Sequence, residues 1–321
     1  MPKGLFSQGL CLLTDAQTSI ADVKSAIETA GFPVLRQIAP QESWSFGGPA
    51  VLVPYRPEVN GGVTVDVLDH TWPDAMGDPK SDPMTFGAWS MGYFGPFAYP
   101  GCLERAKQHA WAWPSGRDVA STHRGIIRIR SSYIGGAEKD APILPNDYDS
   151  ISELTFLSQL LMAVGNAPGV LCYFNPNGEV LRDVQSFRSI WDACTKEQKI
   201  PLLLWMNVRL FKLDEEFGLM DTVGNAQLDI QDIEVIYPTN KYDPGTSDYY
   251  MRNVTHYLLE LGRAIQTGEA IDGPGESSLS WIAEAREQGM GEPPRRVLRL
   301  SPKADNATIG RALALASGSA E

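Results

Sequence analysis

An α+β fold, with mixed and mostly antiparallel sheets flanked by helices, is what the 321-residue sequence predicts. Two observations carry that reading. Short apolar runs such as PVLRQI, AVLVPY and VTVDVLDH follow one another with no helix between them, which favours antiparallel hairpins over crossover units. The order strand, helix, three strands, helix is then met twice along the chain, which points to two tandem modules of similar order.

GLCLLTD reads as the first strand. In SIADVKSAIETAG, Ser19 is placed to cap a helix, Ile20, Val23, Ala26 and Ile27 share one apolar face, and Gly31 stops it. PVLRQI and AVLVPY are strands, and the Asn60-Gly61-Gly62 turn leads into VTVDVLDH. GAWSMGYFGPFAYPG, Gly87 to Gly101, packs five aromatics, four glycines and two prolines into a loop. CLERAKQHAWAW is a helix and GIIRIRSSY a strand. After a loop rich in Pro, Asp and Gly, ISELTFLSQLLMAVGN is an amphipathic helix, GVLCYF a strand, NPNG a turn and VQSFRSIWDACTKEQ a helix. PLLLWMNVRLFKL, FGLMDTV and DIEVIYP are strands, SDYYMRNVTHYLLELG is a helix, and PPRRVLRLSP adds an edge strand carrying Arg295, Arg296 and Arg299. Asp69 in VLDHT and Asp221 in LMDTV take similar places in the two halves. The expected modules span 1–135 and 136–302, the second packed tightly on the first, with a flexible tail over 303–321.

At 43% hydrophobic and 21% charged residues, the composition is that of a soluble globular chain. No apolar run approaches the roughly 18 residues a membrane span needs, and the N-terminus does not read as a signal peptide. Cys11, Cys102, Cys172 and Cys194 are scattered, which suits buried reduced thiols better than disulfides or zinc. A cytoplasmic, monomeric or dimeric protein is expected.

The net charge is −12, from 27 basic and 39 acidic residues. Nine carboxylates lie between Asp214 and Asp248 against Lys241 alone, and six between Glu58 and Asp82 against Lys80. Such clusters repel phosphate backbones and argue against direct nucleic-acid binding; their complement is a basic protein. The plainer account of any one cluster, a solvated surface, carries more weight.

Catalytic motifs are hard to find. His70, His109, His123 and His256 show no metal-ligand spacing, and there is no nucleophile elbow, Walker loop or dinucleotide fingerprint. A site built from Asp66, Asp69, His70 and Asp74 would supply paired carboxylates beside an imidazole, but a strand end rich in turn-forming Asp and Pro explains the same residues. No metal, no cofactor and no enzymatic activity is expected. The aromatic loop lacks the cationic neighbours of a membrane-dipping segment, so Trp89, Phe94 and Phe97 are expected in the core with Trp111 and Trp113, and Tyr93 or Tyr99 nearer the surface. A partner pocket built from the same rings is the sharper alternative.

DPMTFGAWSMGYFGPFAYPGCLERAKQHAWAW, HRGIIRIRSSYIGG, PGVLCYFNPNGEVL, NVRLFKLDEEFGLMDTVGNAQLDIQDIEV and YYMRNVTHYLLELG together resemble the bacterial domain-of-unknown-function 4261 family, over roughly Leu10 to Pro302. The resemblance brings no catalytic residues. It implies a setting near type VI secretion or polymorphic-toxin genes, and with it an immunity protein that neutralises a cognate cytoplasm-acting toxin. DNase and RNase toxins carry basic grooves that an acidic chain would occlude. The residues expected to face such a partner are Asp214, Glu215 and Glu216 at a strand-to-strand turn, extended by Asp229, Asp232 and Glu234. An adaptor or chaperone for a secreted effector is the alternative, as is an enzyme with the Asp66, Asp69, His70 and Asp74 site.

Overall fold

The computed structural model describes residues 3–41, 43–135, 142–274 and 280–303; the expected tail from residue 304 onward lies outside them. Two compact units divide between Trp205 and Met206.

The first unit is built on one long sheet. Its elements are β1 (Gln8–Thr14), α1 (Ile20–Thr29), β2 (Arg36–Ile38), β3 (Ala50–Pro54), β4 (Gly62–Leu68), α2 (Pro83–Ser90), α3 (Cys102–Gln108), α4 (Gly116–Ser121), β5 (Gly125–Ser132), α5 (Ser150–Val164), β6 (Val170–Asn175), β7 (Val180–Arg182), α6 (Val184–Glu197) and α7 (Leu202–Trp205). The strand order is β2-β3-β4-β5-β1-β6-β7, antiparallel throughout. Every residue of β1 is buried because β1 is central and covered on both faces. Helix α5 packs against β1 and β5 on one face. On the other, Cys11 and Leu13 of β1 join Phe46, Trp72, Trp89, Phe94, Phe174 and Leu181 in an apolar cluster.

The aromatic stretch supplies the centre of that cluster, as expected. Trp89, Phe94 and Phe97 are buried, with Tyr93 and Tyr99 half-buried. Asp82 caps α2, accepting from Thr85 N, and Pro83 opens it. Beyond α2 the chain crosses the sheet as turns, pinned by Asn177 of the NPNG turn. Asn177 Oδ1 accepts from Phe97 N (3.0 Å), and its Nδ2 donates to Gly9 O (2.7 Å). Gly95 (φ +132°) allows this approach: a Cβ there would lie 2.5 Å from Asn177 Oδ1. Trp111 departs from expectation, being 63% exposed. The helix that was to carry it into the core ends at Gln108, ahead of a Trp113-Pro114 step that disfavours helical backbone.

The second unit contains β8 (Asn207–Lys212), β9 (Phe217–Val223), β10 (Asp232–Pro238), α8 (Pro244–Leu261), β11 (Ala270–Asp272), β12 (Ser280–Arg286) and β13 (Val297–Pro302). Its sheet runs β11-β12-β13-β10-β9-β8, and only the β10–β13 pair is parallel. Helix α8, capped by Asp243, packs against β8, β9 and β10, burying Tyr250, Met251, Val254 and Leu258.

Four expectations about organisation do not hold. The units divide at 205/206 and not at 135/136, because β6 and β7 add to the edge of the first sheet beside β1. The tandem correspondence fails for the same reason: the five strands assigned to the second module are shared between two sheets. PPRRVLRLSP is no edge, since β13 is hydrogen-bonded on both sides. PLLLW also forms the short helix α7 ahead of β8, instead of extending the strand.

Candidate functional site

The residues expected to face a partner fall into three environments. Asp214, Glu215 and Glu216 form the tight turn between β8 and β9. Asp214 Oδ1 accepts from the backbone N–H groups of Glu216 and Phe217, both at 2.7 Å, so this half-buried carboxylate holds the turn. Glu215 and Glu216 are exposed at its tip, with Lys212 paired to Glu215 and Thr239 Oγ1 bonded to both of their carbonyls (3.1 and 3.2 Å).

Asp229 is also exposed, in left-handed backbone (φ +61°) after the 3-10 turn Asn225–Leu228. It does not extend the hairpin surface. The turn precedes β9 and Asp229 follows it, so seven extended residues, about 20 Å, separate them.

Asp232 and Glu234 are not surface residues at all. They are 3% and 0% exposed and belong to a row of charges across the second sheet. Cross-strand register aligns Arg209 with Asp221, Asp221 with Glu234, and Glu234 with Arg299. Arg209 grips Asp221 with two bonds (2.8 and 2.6 Å), and Arg299 reaches Glu234 at 2.6 Å. Arg295 bridges Asp221 (2.7 Å) and Asp232 (3.0 Å). Thr222 Oγ1 and Asn225 N complete Asp232 (3.0 and 3.1 Å). Burial raises both aspartates, yet the outcomes differ. Arg295 and Arg209 together overcome burial at Asp221 and hold it below the ordinary value. At Asp232 burial outweighs Arg295, and the group stays above it.

Asp66, Asp69, His70 and Asp74 are not assembled into one site either. Asp66 is 2% exposed and accepts from Arg128 Nε (3.2 Å) and Arg130 Nη2 (3.2 Å). Asp74 caps α3, accepting from Leu103 N (3.0 Å) and Glu104 N (2.8 Å). Only Asp69 and His70 share a cavity. It measures about 570 Å³ and also includes Thr14, Asp15 and Trp44 among its lining residues. Among the described residues no group of three or more His, Cys, Asp and Glu is placed to hold a metal ion, and no helix is long and apolar enough to cross a membrane. Cys11, Cys102 and Cys172 are free and buried, and Cys194 is free and half-buried. Burial pushes Cys11 and Cys172 up to about 12.

The model of the family described as domain of unknown function (DUF4261) matches residues 221–301. The resemblance read from the sequence is thereby borne out over the stretch from Asp221 in β9 into β13, which holds every member of the buried ionic network except Arg209. No curated protein and no solved structure matches the chain.

Proposed function

We propose that this chain is a binding protein that neutralises a basic protein toxin, as an immunity protein does, using the acidic β8–β9 turn as part of its docking surface. The observation that carries the reading is the exposed Glu215–Glu216 tip on a turn whose backbone Asp214 already pins. Held there, the two carboxylates reach a cationic groove with little ordering to lose. The chain's −12 charge adds long-range attraction to such a partner. The toxin is a cytoplasm-acting nuclease delivered between bacteria by type VI secretion, and the carboxylates stand where its substrate's phosphates would lie. Asp232 and Glu234 take no part, being committed to Arg295 and Arg299.

The test is co-expression and binding with the product of the adjacent gene. A Glu215→Gln/Glu216→Gln variant leaves Asp214 to hold the turn. It should associate several-fold more slowly at low salt, with a flatter salt dependence and an unchanged melting temperature. Equal association rates at low and high salt for wild type and variant would remove the turn from the interface. Absence of any complex or growth rescue would remove the toxin-binding reading itself.

A further inference from the structure

The residues just ahead of β1, Lys3 to Ser7, form a strap whose side chains reach both faces of the first sheet. Phe6 turns to the aromatic loop: its ring meets Tyr93 edge-on (5.4 Å) and lies against Arg130 (4.1 Å). Ser7 turns the other way, to α5. With Gly4 and Leu5, Phe6 forms one wall of a cavity of about 530 Å³, whose other wall includes Trp89 to Gly92 and Gly95.

Both ends of the strap are tied to one buried carboxyl group. Ser7 Oγ donates to Glu153 Oε1 (2.9 Å), and Tyr148 Oη donates to Glu153 Oε2 (2.8 Å). Lys3 Nζ donates to the same Tyr148 Oη (2.8 Å), joined there by Gln8 Nε2 (3.3 Å). Tyr133, just after β5, is a further hydroxyl partner of Glu153. Beyond it stand Tyr55 and the Arg56–Asp147 pair (2.6 Å), with Asp149 at the start of α5. Lys3, Ser7 and Glu153 are 4%, 2% and 0% exposed, so the network is shut off from bulk water. Both protonation states of the carboxyl can be satisfied in place. Ionised, it accepts from Ser7 and the tyrosines. Neutral, it donates one hydrogen bond, and Ser7 Oγ can accept it by turning its own proton to Ser131 O (3.3 Å) or Ser131 Oγ (3.0 Å). The two states differ in energy. Burial disfavours the charge and outweighs the tyrosine and serine hydroxyls and the Lys3 ammonium, holding Glu153 above the ordinary value.

We propose that Glu153 is a pH-operated latch on the Lys3–Ser7 strap. The neutral carboxyl holds the strap down; the ionised one drives it to lift more often, because an open strap lets water reach the charge. Lifting takes Phe6 off Arg130 and removes one wall of the cavity beside the aromatic loop. The sign follows from burial. Fastening is complete below the ordinary glutamate range and is lost as pH rises through the value Glu153 has in the closed fold.

Hydrogen exchange on the full chain tests this, in the regime where protection reports the opening equilibrium. The Ser7 amide, which donates to Ser131 O (3.0 Å) in the fastened strap, reports the latch. The Leu12 amide, in the middle of β1, reports opening of the sheet itself. After division by the intrinsic rate, Ser7 protection should lie below that of Leu12 at every pH. It should fall several-fold between about pH 4 and about pH 8, each unit by which Glu153 is displaced being worth roughly tenfold. Glu153→Gln, which cannot ionise, should keep high Ser7 protection across the whole range. Tyr148→Phe removes one donor and the anchor of Lys3, so it should lower Ser7 protection throughout while leaving the pH trend in place. The latch is overturned if wild-type Ser7 protection is flat over that range, a result that needs no variant to fold. It is equally overturned if Ser7 and Leu12 exchange together, or if Glu153→Gln keeps the wild-type trend.

Discussion

Across the first sheet, cross-strand register lines up Ala50, Asp66, Arg128, Cys11 and Phe174, and Arg130 reaches over to the same Asp66. Across the second, the corresponding row is Arg209, Asp221, Glu234 and Arg299, with Asp232 and Arg295 beside it. One network sets a single carboxylate against two guanidiniums; the other matches three with three. The surplus cation of the first network is met by the Phe6 ring and by Tyr93 of the aromatic loop. Arg130 lies over the Phe6 ring (4.1 Å to its centroid) and donates to Tyr93 O (3.1 Å), while Arg128 donates to Phe46 O (2.6 Å). These partners do not abolish the cost. Burial, followed by the like charge of Arg128, brings Arg130 down to about 10. The second network satisfies itself through bidentate geometry and loop carbonyls such as Glu292 O (2.6 Å from Arg209 Nη1). A buried ion row can thus be balanced by charge, or left unbalanced and closed with rings and carbonyls that tie a loop to a sheet.

That contrast is most sharply broken at Asp66. Asp66→Asn would leave two buried guanidiniums without a carboxylate and should cost about 5 kcal/mol in urea unfolding, with the aromatic loop losing protection from hydrogen exchange. Asp221→Asn should cost less, about 3 kcal/mol, because Arg295 keeps Asp232. A larger loss at Asp221 than at Asp66 would reverse the comparison. The pH dependence of Asp221 has a definite sign. Its folded value lies below the ordinary one, so its stabilisation is present above the ordinary Asp range and is lost as pH falls through the folded value. The Asn variant should lack that acid-side loss.

Glu153 of α5 is a third case, a fully buried carboxylate that meets no guanidinium among the described residues. It accepts from Ser7 Oγ (2.9 Å) and Tyr148 Oη (2.8 Å). Burial raises it, and the Tyr148 and Ser7 hydrogen bonds only partly offset this. A raised carboxyl stabilises the fold below its ordinary range, and that contribution is lost as pH rises through the folded value. Glu153→Gln should therefore be more stable than wild type at neutral pH by about 1 kcal/mol, with the difference vanishing in acid. The smallest effect is expected at Arg130→Met. Removing the surplus cation should change stability by no more than about 1 kcal/mol in either direction, and a loss of several would mean that the rings over Arg130 stabilise it more than burial costs.

Much of this was legible in the sequence because it is local. The Ser19 cap, the short apolar runs of β1, β9 and β10, and the buried rings of the aromatic loop all follow from residues a few positions apart. The long-range pairings were not. DIEVIYP carries Asp232 and Glu234 two residues apart, FGLMDTV sets Asp221 in register with Glu234, and RRVLRL places Arg299 opposite Glu234 with Arg295 on the same face. Complementary charges at period 2 in neighbouring strands were the available signal for the buried row. Read without their pairing, Asp232 and Glu234 looked like surface acids, since their partners stand 63 and 65 residues away. Strands β11 and β12 gave too short and too mixed a pattern to stand out.

Strand β13 sits between β12 and β10 and, with Arg295 just ahead of it, supplies the counter-ions to acids translated more than sixty residues earlier. During synthesis the first sheet has all its strands once Arg182 has been made. The second waits for Val297 onward, with β10 showing an open edge and Asp221, Asp232 and Glu234 still hydrated. A ribosome paused before that point would hold a finished N-terminal unit followed by an acidic, unclosed half-sheet. A chain released early would keep the aromatic core of the first unit and lose the ionic row of the second.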